Sequence, residues 1–218
     1  MVEAVIFDMD GVIIDSEPLQ MQALIEAIKA SSGVELTPQA LGWTTGRGNA
    51  EVWQRLRELY PIAWEQEKVR AYQLDALFKL MDTSPLAVPI EGILPLVRAL
   101  KAKGIPMAVA SSSSLSIIDK VLDKLALREY FTLIATGDEV PASKPAPDIF
   151  LLAAQRLGCK PEACWVIEDS YNGVTAAKAA GMHCIGFYNP HSGNQDISAA
   201  DHRIEHIAEA MGILGLEG

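Results

Sequence analysis

Four carboxylates, one hydroxyl and one lysine stand at or soon after the ends of short apolar runs. Asp8 and Asp10 follow Val5-Ile6-Phe7, Ser111 follows Ala108-Val109-Ala110, and Glu168 and Asp169 follow Trp165-Val166-Ile167. Lys144 lies in Ser143-Lys144-Pro145, in the loop after the run that starts at Leu133. Carboxylates brought close together cannot all stay ionised without a compensating charge. An oxygen-only donor set suits a hard divalent cation such as Mg2+, which keeps some of its waters and takes few protein ligands. Each residue also has a plainer reading. Asp10 beside Gly11 fits an Asx-type turn, Glu168 and Asp169 fit the acidic start of a helix, Ser111 fits an N-cap, and a lysine is usually solvated.

These residues are far apart in the chain, so only the fold can bring them together. Residues 2–7, 106–110, 133–135, 164–167 and 184–187 are short apolar stretches that stop at polar or turn-forming residues, the pattern of buried strands. Between them, apolar residues recur at helical spacing: Ile93, Leu96, Val97 and Leu100 before Gly104, and Ile149, Leu152, Ala153 and Leu157 before Gly158. Strands alternating with helices predict an α/β fold, a Rossmann-like parallel sheet with right-handed crossovers and helices on both faces. In such a sheet ligands bind beyond the carboxyl ends of the strands, near the switch in strand order. Asp8, Asp10, Ser111, Glu168 and Asp169 would share that edge, with Lys144 in reach. Residues 16–88 break the rhythm, with helical patterns over 19–30, 49–60 and 64–81 and no convincing strand. They read as a helical insert, with Pro85 and Pro89 stiffening the return to the sheet. The expected division is a core of 1–15 and 89–218 and an insert of 16–88.

Phe7 to Pro18 (FDMDGVIIDSEP), the apolar run ending in Ser111, Lys144 to Phe150 (KPAPDIF) and Val166 to Gly181 (VIEDSYNGVTAAKAAG) resemble, in order, the four motifs of the haloacid dehalogenase-like (HAD) superfamily. The resemblance is to its β-phosphoglucomutase-like phosphatase branch and runs from end to end of the chain. It implies that the insert is a small helical cap domain. It also implies that Asp8 is a nucleophile forming an aspartyl-phosphate, and that Asp10 is the general acid and then base. Ser111 and Lys144, with a backbone N–H of Ser112, would hold the transferring phosphoryl group. Asp8, the backbone carbonyl of Asp10, and Asp169 would hold Mg2+, with Glu168 binding directly or through a water.

In the cap, Gly46, Arg47 and Asn49 would form a loop that reads the part of the substrate other than phosphate. Arg47 is suited to a second anionic group or to sugar hydroxyls, and equally reads as an exposed arginine. Glu17 and Gln20 would line the cleft, although Glu17 is also a good first-turn helix residue. The implied activity is hydrolysis of a small phosphorylated metabolite, a sugar or polyol phosphate. The alternative is a β-phosphoglucomutase-like isomerase using the same phospho-aspartate. That mutase carries a histidine where this chain has Gln20, and the absence of a near-neutral imidazole favours hydrolysis. A dehalogenase is disfavoured by Asp10, the second aspartate of the loop.

Composition narrows the partners. Half of the 218 residues are hydrophobic and the net charge is −10, which disfavours nucleic acid and acidic membrane surfaces. An anionic substrate must then meet local cations. Three cysteines with no CxxC pair point to a reducing compartment rather than a disulfide framework. No apolar run reaches the roughly 18 residues of a membrane span, so a soluble, cytoplasmic monomer or weak dimer is expected. Trp43, Trp53 and Trp64 read as core of the insert, and His183, His191, His202 and His206 as surface or edge residues.

Overall fold

A computed structural model describes residues 2–44, 49–193 and 195–216, with the side chains of all of these except Asn49 and Ala50. Its centre is β1 (Ala4–Phe7), fully buried on both faces, as a parallel strand covered from two sides must be. β1 pairs in parallel with β2 (Met107–Ser111) on one side and β4 (Cys164–Glu168) on the other. With β3 (Leu133–Thr136), β5 (His183–Phe187) and β6 (His202–Ile204), the described residues form one parallel sheet in the order β3-β2-β1-β4-β5-β6.

Period-two alternation splits the strand residues between two layers. Ala4, Ile6, Ala108 and Ala110 pack with Ile149, Phe150 and Ala153 of α7 (Asp148–Leu157) and with Val174 and Ala177 of α8 (Tyr171–Ala179). Val5, Phe7, Met107 and Val109 point the other way and are equally buried. On that side lie the buried stripes of α5 (Ile93–Ala102) and α6 (Leu115–Lys124). Phe131 there meets the Phe7 ring edge-on at 5.7 Å. Side chains such as Ile6 and Phe7, with no exposed surface, each contribute about 1.5–3 kcal/mol of apolar burial.

Several strand boundaries shift from the sequence reading: β1 starts at Ala4, β2 at Met107 and β5 at His183, and β3 runs on to Thr136. β2 and β4 each run one residue beyond the apolar stretch, so Ser111 and Glu168 are the last residues of their strands. β6 is a strand that the pattern does not announce: it has three residues, two of them exposed. Its pairing with β5 defines it. Gly104 and Gly158, each at φ +70, end α5 and α7 in the left-handed conformation that favours glycine. A short α9 (Ala210–Ile213) follows near the C-terminus.

The chain divides into two compact units, Met1–Asp15 with Val88–Gly218, and Ser16–Ala87. The second unit contains α1 (Glu17–Ser32), α2 (Pro38–Leu41), α3 (Asn49–Leu59) and α4 (Gln66–Thr83). It has its own core, including Leu24, Ile28, Leu41, Trp53, Leu56 and Val69, with Trp43 and Trp64 packed against it. Within the first unit, the outgoing and returning segments pair antiparallel at Ile14 and Pro89. Cys164 and Cys184 are buried, Cys159 is partly exposed, and all three are free. Among the described residues, no helix is long and apolar enough to cross a membrane.

Candidate active site

Strand order reverses between β1 and β4, and the carboxyl ends of these two strands hold the buried acidic residues among those described. Asp8, Glu168 and Asp169 are all buried there. One carboxylate oxygen from each lies within 4.8 Å of the others, a spacing that a single cation can bridge. Lys144, its side chain 7% exposed, reaches in from the loop between β3 and α7. Its three protons are all used: Nζ donates to Asp8 Oδ1 at 2.5 Å, to Glu168 Oε1 at 2.8 Å and to the Ala110 carbonyl at 3.1 Å. The ammonium also lies 4.8 Å from the centre of the Phe150 ring.

Glu168 is fixed on its other oxygen as well, where Oε2 accepts from the backbone N–H and the hydroxyl of Ser170 at 2.8 and 2.9 Å. The N-cap of α8 is therefore Ser170, whose Oγ accepts from the Gly173 N–H. Glu168 and Asp169 thus stand just before the cap at the start of α8 rather than being the N-cap themselves. Gly173 is required for a related reason, because a Cβ there would fall on the Glu168 carboxylate. Gly11 is the second glycine that the site requires: its φ is +84, and a Cβ would run into the Asp169 carboxylate.

Asp10 sits at the rim, half-exposed. The Ser113 hydroxyl donates to its Oδ2 at 2.8 Å, and that of Ser111 approaches the same oxygen at 3.4 Å. Ser111 Oγ accepts in turn from the Ser113 N–H at 3.1 Å. Ser112 is exposed, and its backbone packs tightly over Gly137, where a Cβ would stand 3.0 Å from the Ser112 carbonyl. Sequence reasoning singles out Ser111 and Ser112 and passes over Ser113, because four consecutive serines carry no signal that separates them.

A fifth loop, after β5, completes the edge from outside the four motifs. Ser192 donates a hydrogen bond to Asp169 Oδ2, and Asn189 Nδ2 donates to the Gly11 carbonyl at 3.0 Å. His191 pairs with Asp15 while remaining exposed. His183 and His202 stack on Trp165 and are likewise exposed.

The electrostatics follow from burial. Desolvation pushes the Asp8 carboxyl up to about 7; Lys144 opposes the rise, and Glu168 and Asp10 add to it. Desolvation also lifts Asp169 to about 8, helped by Glu168 and Asp8 and resisted by the Ser192 hydrogen bond. Burial works against the Lys144 charge, but Asp8 and Glu168 outweigh it and hold the ammonium well above the usual lysine range. Fully ionised, three carboxylates against one ammonium would carry two excess negative charges, an excess that the raised Asp8 and Asp169 relieve by holding protons in the metal-free cluster. A divalent oxygen-seeking cation neutralises that excess, so the donor set fits Mg2+ in charge and chemistry.

The residues expected to read the substrate belong to the second unit. Glu17 opens α1 in partly exposed surroundings, and Gln20 Nε2 donates to Ser16 Oγ at 3.0 Å. Gly46 and Arg47 lie outside the described residues, as does the side chain of Asn49 at the start of α3.

Comparisons with known proteins agree with this geometry. Residues 2–181 match the family model described as haloacid dehalogenase-like hydrolase. Protein CbbY of Cereibacter sphaeroides is 33% identical over 100% of this chain and 97% of its own. Hexitol phosphatase B of Escherichia coli is 34% identical, covering 97% of this chain and 96% of its own. A crystal structure of CbbY from Rhodobacter sphaeroides in complex with phosphate superposes with a TM-score of 0.86 at 30% identity, covering 99% of both chains. From motif order, sheet topology and these relatives together, the chain belongs to the haloacid dehalogenase-like hydrolase family and, within it, to the phosphatase branch.

Proposed function

We propose that the chain is a Mg2+-dependent phosphatase that hydrolyses a small sugar or polyol phosphate through a phospho-aspartate on Asp8. The observation that carries this reading is the buried Asp8–Lys144–Glu168 chain beside Asp169, with Asp10 held at its rim. Relatives support the substrate class: one is named a hexitol phosphatase, and another was solved with phosphate bound. In this reading the 16–88 insert would act as a cap, and Gly46, Arg47, Asn49, Glu17 and Gln20 would read the part of the substrate that is not phosphate.

Asp8, Asp169 and the carbonyl of Asp10 would hold Mg2+, with Glu168, already accepting hydrogen bonds on both oxygens, acting through water. Bound there, the cation supplies charge that offsets the repulsion between the phosphoryl oxygens and the attacking carboxylate. Asp8 attacks phosphorus in line; the new carboxylate–phosphorus bond forms as the ester phosphorus–oxygen bond breaks. Asp10 gives its proton to the departing alkoxide. As a carboxylate, it then takes a proton from the water that attacks the same phosphorus. The bond to Asp8 breaks, inorganic phosphate leaves and Asp8 is restored. Lys144 would stabilise the transferring group chiefly as a buried positive charge, its three donors being already engaged, and Ser111 by turning its hydroxyl from Asp10 to a phosphoryl oxygen. Gln20 cannot take up or release a proton as a histidine would, which favours water over a second sugar hydroxyl as the acceptor.

The covalent step is tested by quenching a turnover mixture in acid, reducing with borohydride and mapping peptides by mass spectrometry. Reduction of an acyl phosphate at Asp8 yields homoserine at that position. An active enzyme with unmodified Asp8 under these conditions would contradict the mechanism.

A further inference from the structure

The loop that follows β5 lies outside the four motifs, yet it supplies a side-chain hydrogen bond to Asp169. Ser192, 8% exposed, places its hydroxyl against Asp169 Oδ2. Nothing about this serine is left loose. Its N–H donates to the Asn189 carbonyl at 3.2 Å, and its own carbonyl accepts from Gln195 Nε2 at 3.0 Å. The loop is tied to its neighbours at two further points. Asn189, 5% exposed, donates to the carbonyl of Gly11 in the loop of Asp8 and Asp10, and Gln195 Oε1 accepts from the Tyr171 N–H that opens α8. Gly11 keeps the space open, since a Cβ there would meet both the Asp169 carboxylate and, at 2.9 Å, the Ser192 hydroxyl.

We infer that Ser192 is a positioning residue: its hydroxyl holds one oxygen of Asp169 so that the other is presented to the divalent cation. A short carboxylate on its own rotates about its terminal bond and offers either oxygen. One donor fixed by its own backbone bonds removes that freedom, and partners that orient a ligand in this way typically account for about 10–100-fold in metal affinity. The inference rests on the proposal that Asp169 holds a cation.

The test uses the metal-free full-length chain and Mn2+ alone as the probe, with free ion read by electron paramagnetic resonance. Ser192→Ala should weaken Mn2+ binding by about 10-fold or more with little change in the melting midpoint of the metal-free protein. Ser192→Thr, which retains the hydroxyl, should restore most of the affinity. Gln195→Ala removes one of the bonds that fix the Ser192 backbone but leaves its hydroxyl on Asp169, and should lose clearly less Mn2+ affinity than Ser192→Ala. Parental affinity in Ser192→Ala, or an equal loss in Gln195→Ala, would overturn the inference. Should the alanine variant not fold, Ser192→Cys, with its weak donor, takes its place: weakened Mn2+ binding is expected, and parental affinity would again overturn the inference. A parent that binds no Mn2+ would remove the metal site itself and this inference with it.

Discussion

Lys144 spends its full donor capacity on Asp8, Glu168 and the Ala110 carbonyl, so the charges of the site depend on one another. Asp8→Asn removes the nucleophile and leaves an uncharged side chain of the same shape. It should abolish turnover with melting and circular dichroism close to the parent; more than trace activity would count against a covalent step. Lys144→Met should be costly to the fold. Removing one partner of a buried ion pair leaves charge uncompensated, typically at about 3–5 kcal/mol, and denaturant melts would register it. The raised carboxyls also fix a pH dependence. Asp8 at about 7 and Asp169 at about 8 start from an ordinary value of 3.8, so the metal-free fold binds more protons than the unfolded chain between about pH 4 and pH 8. Its stability should fall as pH rises through that window. Mg2+ must displace those protons, so the rise in melting temperature on adding Mg2+ should be larger at pH 8 than at pH 5. Equal shifts in calorimetry at the two pH values would contradict the assignment. Asp201 and Glu139, held below the ordinary range, titrate below this window and leave the comparison intact.

At the scale of elements, the strands of the core are legible because parallel strands buried on both faces read as continuous apolar runs. The residues at their ends follow from that. Asp8, Ser111, Glu168 and Asp169 meet at one edge because all the strands that carry them point the same way. What is not legible lacks a hydrophobic period. β6 is specified by its pairing with β5, Ser113 is one of four like residues, and Ser192 and Asn189 lie in a polar loop whose role appears only when it folds over Gly11 and Asp169. Gly173 is visible only as part of a motif; its reason is the Glu168 carboxylate lying against it. Gly173→Ala should therefore act on the site more than on the helix. Alanine favours a helix interior by about 1 kcal/mol over glycine, but its methyl would push Glu168 off Lys144 and Ser170. A fall in kcat of about 100-fold, the upper end for loss of a partner that orients a metal site, is expected with a folded α8. Near-parental kcat would show that Glu168 relocates without consequence.

The whole molecule carries a net charge of −10, yet its proposed substrate is an anion. In the proposed reading, the buried ammonium and the donor set for a divalent cation would offset that charge where phosphate would arrive, while the net negative charge of the molecule disfavours polyanions. The insert has its own core. In the proposed division of labour, substrate choice lies with the insert and chemistry with the sheet. Arg47→Ala should then lower kcat/KM for preferred sugar phosphates while leaving a minimal ester such as p-nitrophenyl phosphate nearly unchanged. Equal kinetics on every ester would make Arg47 a bystander. The proposed activity is tested most directly by phosphate release from a panel of small sugar and polyol phosphates, assayed with and without Mg2+ and with Asp8→Asn as the blank. Mg2+-dependent release from one or a few members is expected, with none from Asp8→Asn. No release from any member, or equal release by Asp8→Asn, would contradict it.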